Sequence, residues 1–185
     1  MQPIKDLKME HDAVRLTLRI LDEICRKIEK SGEITELQHL DQLLEFFKVF
    51  VDQCHHGKEE ELLFPALENV GVSREGGPIG VMLHEHQQGR EFVRSMNATL
   101  SQYAQGDRKA AAEFVETARS YINLLNQHID KENGVLFPLA EKHLSAQEKA
   151  KLWEGFEMIE AQKIGAGKHE EFHIMLDQLE KEILQ

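Results

Sequence analysis

Apolar residues recur every three or four positions along almost the whole chain, which is the spacing of amphipathic α-helices that bury one face. The pattern breaks where turn-forming residues occur, at Ser31-Gly32, at the glycine-containing segment 72–78, at Gly106-Asp107 and at the capping sequence that begins with Ser145. Short connections favour antiparallel neighbours. The pattern therefore predicts an all-α fold, an up-down-up-down four-helix bundle followed by an additional C-terminal helix.

The chain is predicted to be one domain, residues 1–185, because 185 residues suffice for a sizeable single core. Within it, the repeat halves 4–72 and 78–142 share their pattern of polar interruptions, and a helical extension covers 145–185. We expect a pseudo-twofold axis to relate the two halves.

Histidine and glutamate interrupt the predicted buried faces at equivalent places in both halves. Each half has a lone histidine, then a His-x3-Glu pair followed by Leu-Phe-Pro. The six residues are His11, His55 and Glu59 in the first half and His86, His128 and Glu132 in the second. A histidine and a glutamate four apart share one helix face, and two antiparallel helices of about 30 Å bring each lone histidine level with its pair. Because a buried polar group must be paired or bind something, four imidazoles and two carboxylates predict a site for two metal ions.

The remaining chemistry-bearing residues carry weaker signals. His56 follows the predicted polar face, so we expect it to be solvated. Cys25 and Cys54 have neither the density of a disulfide framework nor CxxC spacing, which favours reduced thiols.

Charge and hydropathy exclude several classes of partner. A net charge of −11 argues against a nucleic acid or an acidic membrane surface as partner, since both require a basic face. No apolar run approaches the ~20 residues that span a bilayer, and the N-terminus lacks the apolar core of a signal peptide. Cytoplasmic localisation is therefore the expectation.

The histidine and glutamate motifs resemble those of the hemerythrin-like (His-His-Glu cation-binding) family, over residues 4 to about 142. The resemblance implies a bundle that holds two non-haem iron ions, bridged by Glu59 and Glu132 and by an oxo or hydroxo group. His11, His55, His86 and His128 would be the terminal ligands. Imidazole and carboxylate ligands would also admit manganese or zinc.

The chain departs from the oxygen-carrying members of that family on the third helix. Those carriers have a His-x3-His pair there, whereas Met82 and Arg90 stand four residues on either side of His86. The four-histidine, two-glutamate core is more similar to the iron–sulfur-repair, di-iron stress-response branch. His169 lies on the apolar stripe of the C-terminal helix, after two glycines that permit close approach. We therefore expect His169 to supply a fifth imidazole to the metal centre.

The function that follows from this resemblance is binding or reduction of a small diatomic or peroxidic ligand: dioxygen, hydrogen peroxide or nitric oxide. The alternatives are a non-catalytic module for sensing or storing iron or oxygen, and a metal-free helical interaction module. The sequence leaves open whether the protein is an enzyme, and it does not identify a redox partner.

Overall fold

The computed structural model describes residues 2–165 and 167–185, and in these ranges the chain is helical apart from its turns and ends. The elements in chain order are α1 (Pro3–Ser31), α2 (Leu37–Phe46), two π-helical segments (Phe47–His56 and Glu59–Leu63), α3 (Phe64–Asn69), α4 (Pro78–Ala104), α5 (Ala110–Lys131), a third π-helical segment (Glu132–Leu136), α6 (Phe137–His143), α7 (Ala146–Lys163) and α8 (Lys168–Ile183). The predicted all-α class is confirmed.

Four long rods form the bundle: α1, the run from α2 to α3, α4, and the run from α5 to α6. Helix α4 packs along α5, α5 packs on α1, and α2 with the first π-helical segment packs on α4. Short turns connect consecutive rods, so neighbours run antiparallel, as in up-down bundles. The predicted four-helix bundle with a helical extension is confirmed.

The π-helical turns occur at equivalent places in the two halves. The backbone N–H of Phe64 donates to the carbonyl of Glu59, and the N–H of Phe137 donates to the carbonyl of Glu132, each five residues back. Such wider turns inside α-helices frequently occur at functional sites. They place the two glutamates where the helical register changes.

Two apolar clusters lie on either side of a polar layer. One contains Leu7, Met82 and their neighbours near the start of α1 and α4. The other begins at Val14 on α1 and at Val93 on α4 and extends to the far end of the bundle. The histidines and glutamates of both repeats fall between these clusters along every rod, so the polar layer is closed above and below by apolar side chains.

The C-terminal extension consists of two helices rather than one bent helix. Gly165 and Gly167 both have φ of 86°, a left-handed conformation that ends α7 and begins α8, and Ala166 lies outside the described residues. Helix α7 adds its apolar side chains to the cluster near the start of α1, and α8 adds its own to the other cluster. The extension therefore spans the level of the polar layer. None of the described helices is long and apolar enough to cross a membrane.

Candidate metal centre

The six predicted ligands come together in the polar layer as two groups. In the first group, the Nε2 atoms of His11 and His55 are 3.1 Å apart. In the second, the Nε2 atoms of His86 and His128 are 3.2 Å apart. All four rings are buried. Each pair of imidazoles therefore presents two ring nitrogens to one point, as a metal ion requires.

Glu59 and Glu132 stand between the two pairs and point one oxygen at each. Oε2 of Glu132 is 3.0 Å from Nε2 of His11, and Oε1 is 3.2 Å from Nε2 of His128. Oε1 of Glu59 is 3.7 Å from Nε2 of His55, and Oε2 is 3.4 Å from Nε2 of His86. Each carboxylate is therefore placed so that it could bridge two metal ions, one at each imidazole pair.

The four oxygens of these glutamates are buried and have no hydrogen-bond partner among the described residues. Burial raises the pKa of Glu59 well above its ordinary value, and the neighbouring Glu132 raises it further. Burial acts in the same direction on Glu132, but contact with His128 and His11 holds the pKa of Glu132 well below its ordinary value. Two buried carboxylates without donors are costly unless a cation satisfies them.

Hydrogen bonds at Nδ1 orient all four imidazoles. Nδ1 of His55 donates to Oε2 of Glu10 at 2.7 Å, and Nδ1 of His128 donates to Oε2 of Glu85 at 3.0 Å. Glu10 and Glu85 each precede the lone histidine of their own half. A proton fixed on Nδ1 leaves the Nε2 lone pair free to face a metal, and such partners tune both ring orientation and basicity.

The lone histidines are held in a reciprocal manner between the halves. Nδ1 of His86 donates to Oε1 of Glu60 at 2.7 Å, and Nδ1 of His11 donates to Oδ1 of Asn133 at 3.1 Å. Glu60 directly follows Glu59 in the sequence, and Asn133 directly follows Glu132. The sequence pattern did not lead us to assign these two residues. Their equivalent positions, one residue after each glutamate of the His-x3-Glu pairs, could have indicated them.

The phenylalanines of the two Leu-Phe-Pro motifs cover the lone histidines. The ring of Phe64 stacks against His86 with centroids 5.8 Å apart, and the ring of Phe137 stacks against His11 at 5.3 Å. Both phenylalanines are fully buried. The motif therefore supplies an apolar lid over one imidazole of each group.

His56 is buried, with 4% of its surface exposed, so the prediction of a solvated side chain is wrong. Its ring stacks on that of His86 at 3.8 Å, and it can join Glu59, His86 and His128 around one ion. The prediction assumed 3.6 residues per turn, whereas His56 ends a π-helical segment that brings two consecutive histidines to the inner face.

His169 is half-buried and belongs to neither imidazole group. It lies with Glu10 and Glu160, close enough for the three to share an ion, and its ring is 5.2 Å from that of Phe50. Lys58, fully buried, donates to both glutamates. The structure therefore places His169 next to the hydrogen-bond partner of His55 rather than beside the six predicted ligands.

Fold and site together define a helical bundle that buries a cluster of imidazoles and carboxylates able to hold metal ions. Residues 2–140 match the sequence profile of the hemerythrin HHE cation-binding domain. The chain belongs to that family, and it is a non-haem iron-binding protein.

Similar proteins include bacterial relatives of two kinds. An uncharacterized protein of Mycobacterium tuberculosis is 26% identical over 161 residues, which cover 87% of this chain and 62% of the relative. The iron-sulfur cluster repair protein YtfE of Musicola paradisiaca is 37% identical over 90 residues, covering 46% of this chain and 40% of the relative. DnrN of Neisseria gonorrhoeae, also named an iron-sulfur cluster repair protein, is 37% identical over 86 residues, 45% of this chain and 54% of the relative. The chain thus spans less than two thirds of the length of each.

Proposed function

We propose that the chain holds two iron ions and binds or reduces a small diatomic or peroxidic ligand at them. The observation that carries this proposal is the pair of buried carboxylates, Glu59 and Glu132. They have no hydrogen-bond partner among the described residues, and each directs one oxygen toward each imidazole group. His11 and His55 would hold one ion, and His86 and His128 the other. Imidazole with carboxylate suits iron, and the family and the repair-protein relatives favour iron over manganese or zinc.

The two metal positions differ in the number of protein ligands offered. The first group supplies His11, His55 and one oxygen from each glutamate. The second supplies two histidines and one oxygen from each glutamate, and His56 can add a fifth atom. Fewer protein ligands leave a position for an exogenous ligand, so we assign small-ligand binding to the ion held by His11 and His55.

Iron in such a site would supply Lewis acidity and one-electron redox chemistry. The chain itself contributes water exclusion and fixed imidazoles: the apolar clusters close the layer above and below, and the Nδ1 hydrogen bonds hold each ring. The alternative is a non-catalytic module that senses or stores iron or oxygen, in which the same residues only retain the metal.

The proposal is tested by following the visible spectrum of the iron-loaded protein after anaerobic reduction and exposure to dioxygen, hydrogen peroxide or nitric oxide. We expect a ligand-dependent spectral change with at least one of the three, and consumption of that ligand if it is reduced. His11→Ala, which removes a proposed ligand of the ion assigned to small-ligand binding, should weaken or abolish the change, whereas Asp12→Ala, on the same helix but exposed, should not. An iron-loaded protein whose spectrum is unaffected by all three ligands would favour the storage alternative.

A further inference from the structure

A cavity of about 460 Å³ opens between the first π-helical segment, α4 and α5, and His56 is among the residues that line it. This volume is within the range of roughly 300–1,000 Å³ found for small-molecule sites. A diatomic or peroxidic ligand has only two non-hydrogen atoms and would leave most of this space unfilled. The cavity therefore suits a larger ligand than the one assigned above to the iron.

The lining of the cavity changes from apolar to cationic toward the solvent. Its buried wall is formed largely by Phe47, Val51 and Tyr121, which are at most 2% exposed. Lys48 and Arg94 also line it and are exposed. An apolar interior with positive charge at the rim is complementary to an amphipathic anion.

Lys48 and Arg94, the two cations at the rim, are available for a ligand, whereas Arg90, the third cation of the cavity, is not. The guanidinium of Arg90 is neutralised by Asp52 and Glu60, each at 2.7 Å. Arg94 donates to the backbone carbonyl of Arg90 at 3.4 Å, and within residues 2–165 and 167–185 neither Arg94 nor Lys48 forms an ion pair with a carboxylate. In a chain of net charge −11, two such cations at one opening favour a negatively charged ligand there.

One residue of the cavity wall, His56, has an unsatisfied polar atom. Among the residues that the structure describes, buried Nδ1 of His56 has no hydrogen-bond partner, and Oδ1 of Asp52 is 3.7 Å away. Asp52 lines the same cavity. An unsatisfied buried polar atom in a residue of the cavity wall favours occupation of this end of the cavity by a ligand or an ordered water.

We propose that this cavity is a binding site for an organic monocarboxylate with an apolar body. The carboxylate lies at Lys48 and Arg94, the body packs on Phe47, Val51 and Tyr121, and the inner end of the ligand faces His56. This proposal deepens the proposed function, because the carboxylate would bind beside the proposed iron centre. It rests on the proposed function only in that respect. Binding itself requires the cavity and its rim, not the metal.

The test is isothermal titration calorimetry with octanoate and indole-3-acetate, a linear and a planar carboxylate, on the iron-loaded and the chelator-treated protein. We expect at least one carboxylate to bind with a dissociation constant below about 1 mM in both forms. Its neutral counterpart, 1-octanol or indole-3-ethanol, should bind at least about tenfold more weakly, and inorganic phosphate should not bind.

Variants locate the site. Arg94→Glu should raise the dissociation constant at least about tenfold, because attraction at the rim becomes repulsion. Arg19→Glu, at an arginine that is also exposed but lies on α1, should change it less than about twofold. Asn97→Trp should abolish binding by filling the opening, and Ala98→Trp, exposed on the same helix but outside the cavity, should not. Circular dichroism and iron content identify any variant that misfolds.

Several results would overturn the inference: no heat with either carboxylate, equal affinity for the neutral counterparts, or unchanged affinity in Asn97→Trp. The same measurements distinguish failure of the cavity proposal from failure of the proposed function. Carboxylate binding by a protein that fails to take up iron would refute the di-iron proposal alone, and a reactive di-iron protein that binds neither carboxylate would refute the cavity assignment alone.

Discussion

Replacing Glu10 by Gln tests whether the hydrogen-bond partners of the imidazoles carry both stability and metal affinity. Glu10 accepts from Nδ1 of His55 at 2.7 Å and from Nζ of Lys58 at 2.5 Å. Lys58 is fully buried, and after the substitution its charge would retain only Asp6 at 3.2 Å and Glu160 at 3.3 Å. Breaking a buried ion pair costs about 3–5 kcal/mol. Because two partners remain, we expect the lower end, about 3 kcal/mol of unfolding free energy.

The pKa of Glu10 gives an independent magnitude. Burial would raise it, but the hydrogen bond from His55 and the charge of Lys58 lower the pKa from 4.5 to about 2. At about 1.4 kcal/mol for a tenfold change in proton affinity, this corresponds to roughly 3 kcal/mol. Since the folded-state pKa is the lower one, this stabilisation is fully present above pH 4.5 and is lost as the pH falls toward 2.

Glu85→Gln is the matched control from the other repeat. Glu85 accepts from Nδ1 of His128 and from Lys131, the same pair of contacts, but the side chain of Lys131 is 40% exposed. Solvent screens an exposed pair, so this substitution should cost about 1 kcal/mol or less. Iron affinity should fall by about 10–100-fold in both variants, because each removes the charged partner of a histidine proposed to bind iron.

The assay is chemical denaturation in the presence of a chelator at neutral pH and through an acid series, with iron affinity measured separately by competition. We expect Glu10→Gln to lose about 3 kcal/mol at neutral pH and the difference from the unsubstituted chain to shrink below pH 4.5. Two results would contradict a stabilising role for the buried charge of Glu10. One is an equal loss of unfolding free energy in Glu10→Gln and Glu85→Gln; the other is a difference between Glu10→Gln and the unsubstituted chain that does not depend on pH.

Four further substitutions test other parts of the structure. Glu59→Ala or Glu132→Ala should lower iron content at both positions together, measured by metal analysis, because each carboxylate faces both imidazole groups; loss at one position only would contradict bridging. His169→Ala should leave the iron content and the visible spectrum unchanged, since His169 lies outside both groups; a shifted spectrum would show that it reaches the iron. Tyr103→Phe should lower the unfolding free energy by about 1–3 kcal/mol, because its hydroxyl accepts from the buried N–H of Ile34 at 3.0 Å; an unchanged denaturation midpoint would contradict that role.

The bundle could be predicted because its local and global signals agree. Apolar spacing, the turns and the capping sequence at Ser145 all indicated the same helices, and the capping box is present with Glu148. The six histidines and glutamates could be chosen because they interrupt buried faces at one height, and the structure brings these six side chains together.

Features that depend on departures from regular geometry could not be predicted. The inward position of His56 follows from a π-helical segment, which has no marker in a pattern based on 3.6 residues per turn. His169 has the spacing of a buried residue on a continuous helix, but α7 and α8 are separate helices with left-handed glycines between them. The cavity beside His56 is formed by three rods, so its lining residues are contiguous only in the folded chain.

The measurement that tests the central claim most directly is an anaerobic titration of the metal-free chain with ferrous iron. We expect saturation at two iron ions per chain, and about one or none in the Glu59→Ala, Glu132→Ala double variant, since the two buried carboxylates would bridge both ions. Saturation of the unsubstituted chain at one ion, or uptake of two by the double variant, would contradict a carboxylate-bridged pair.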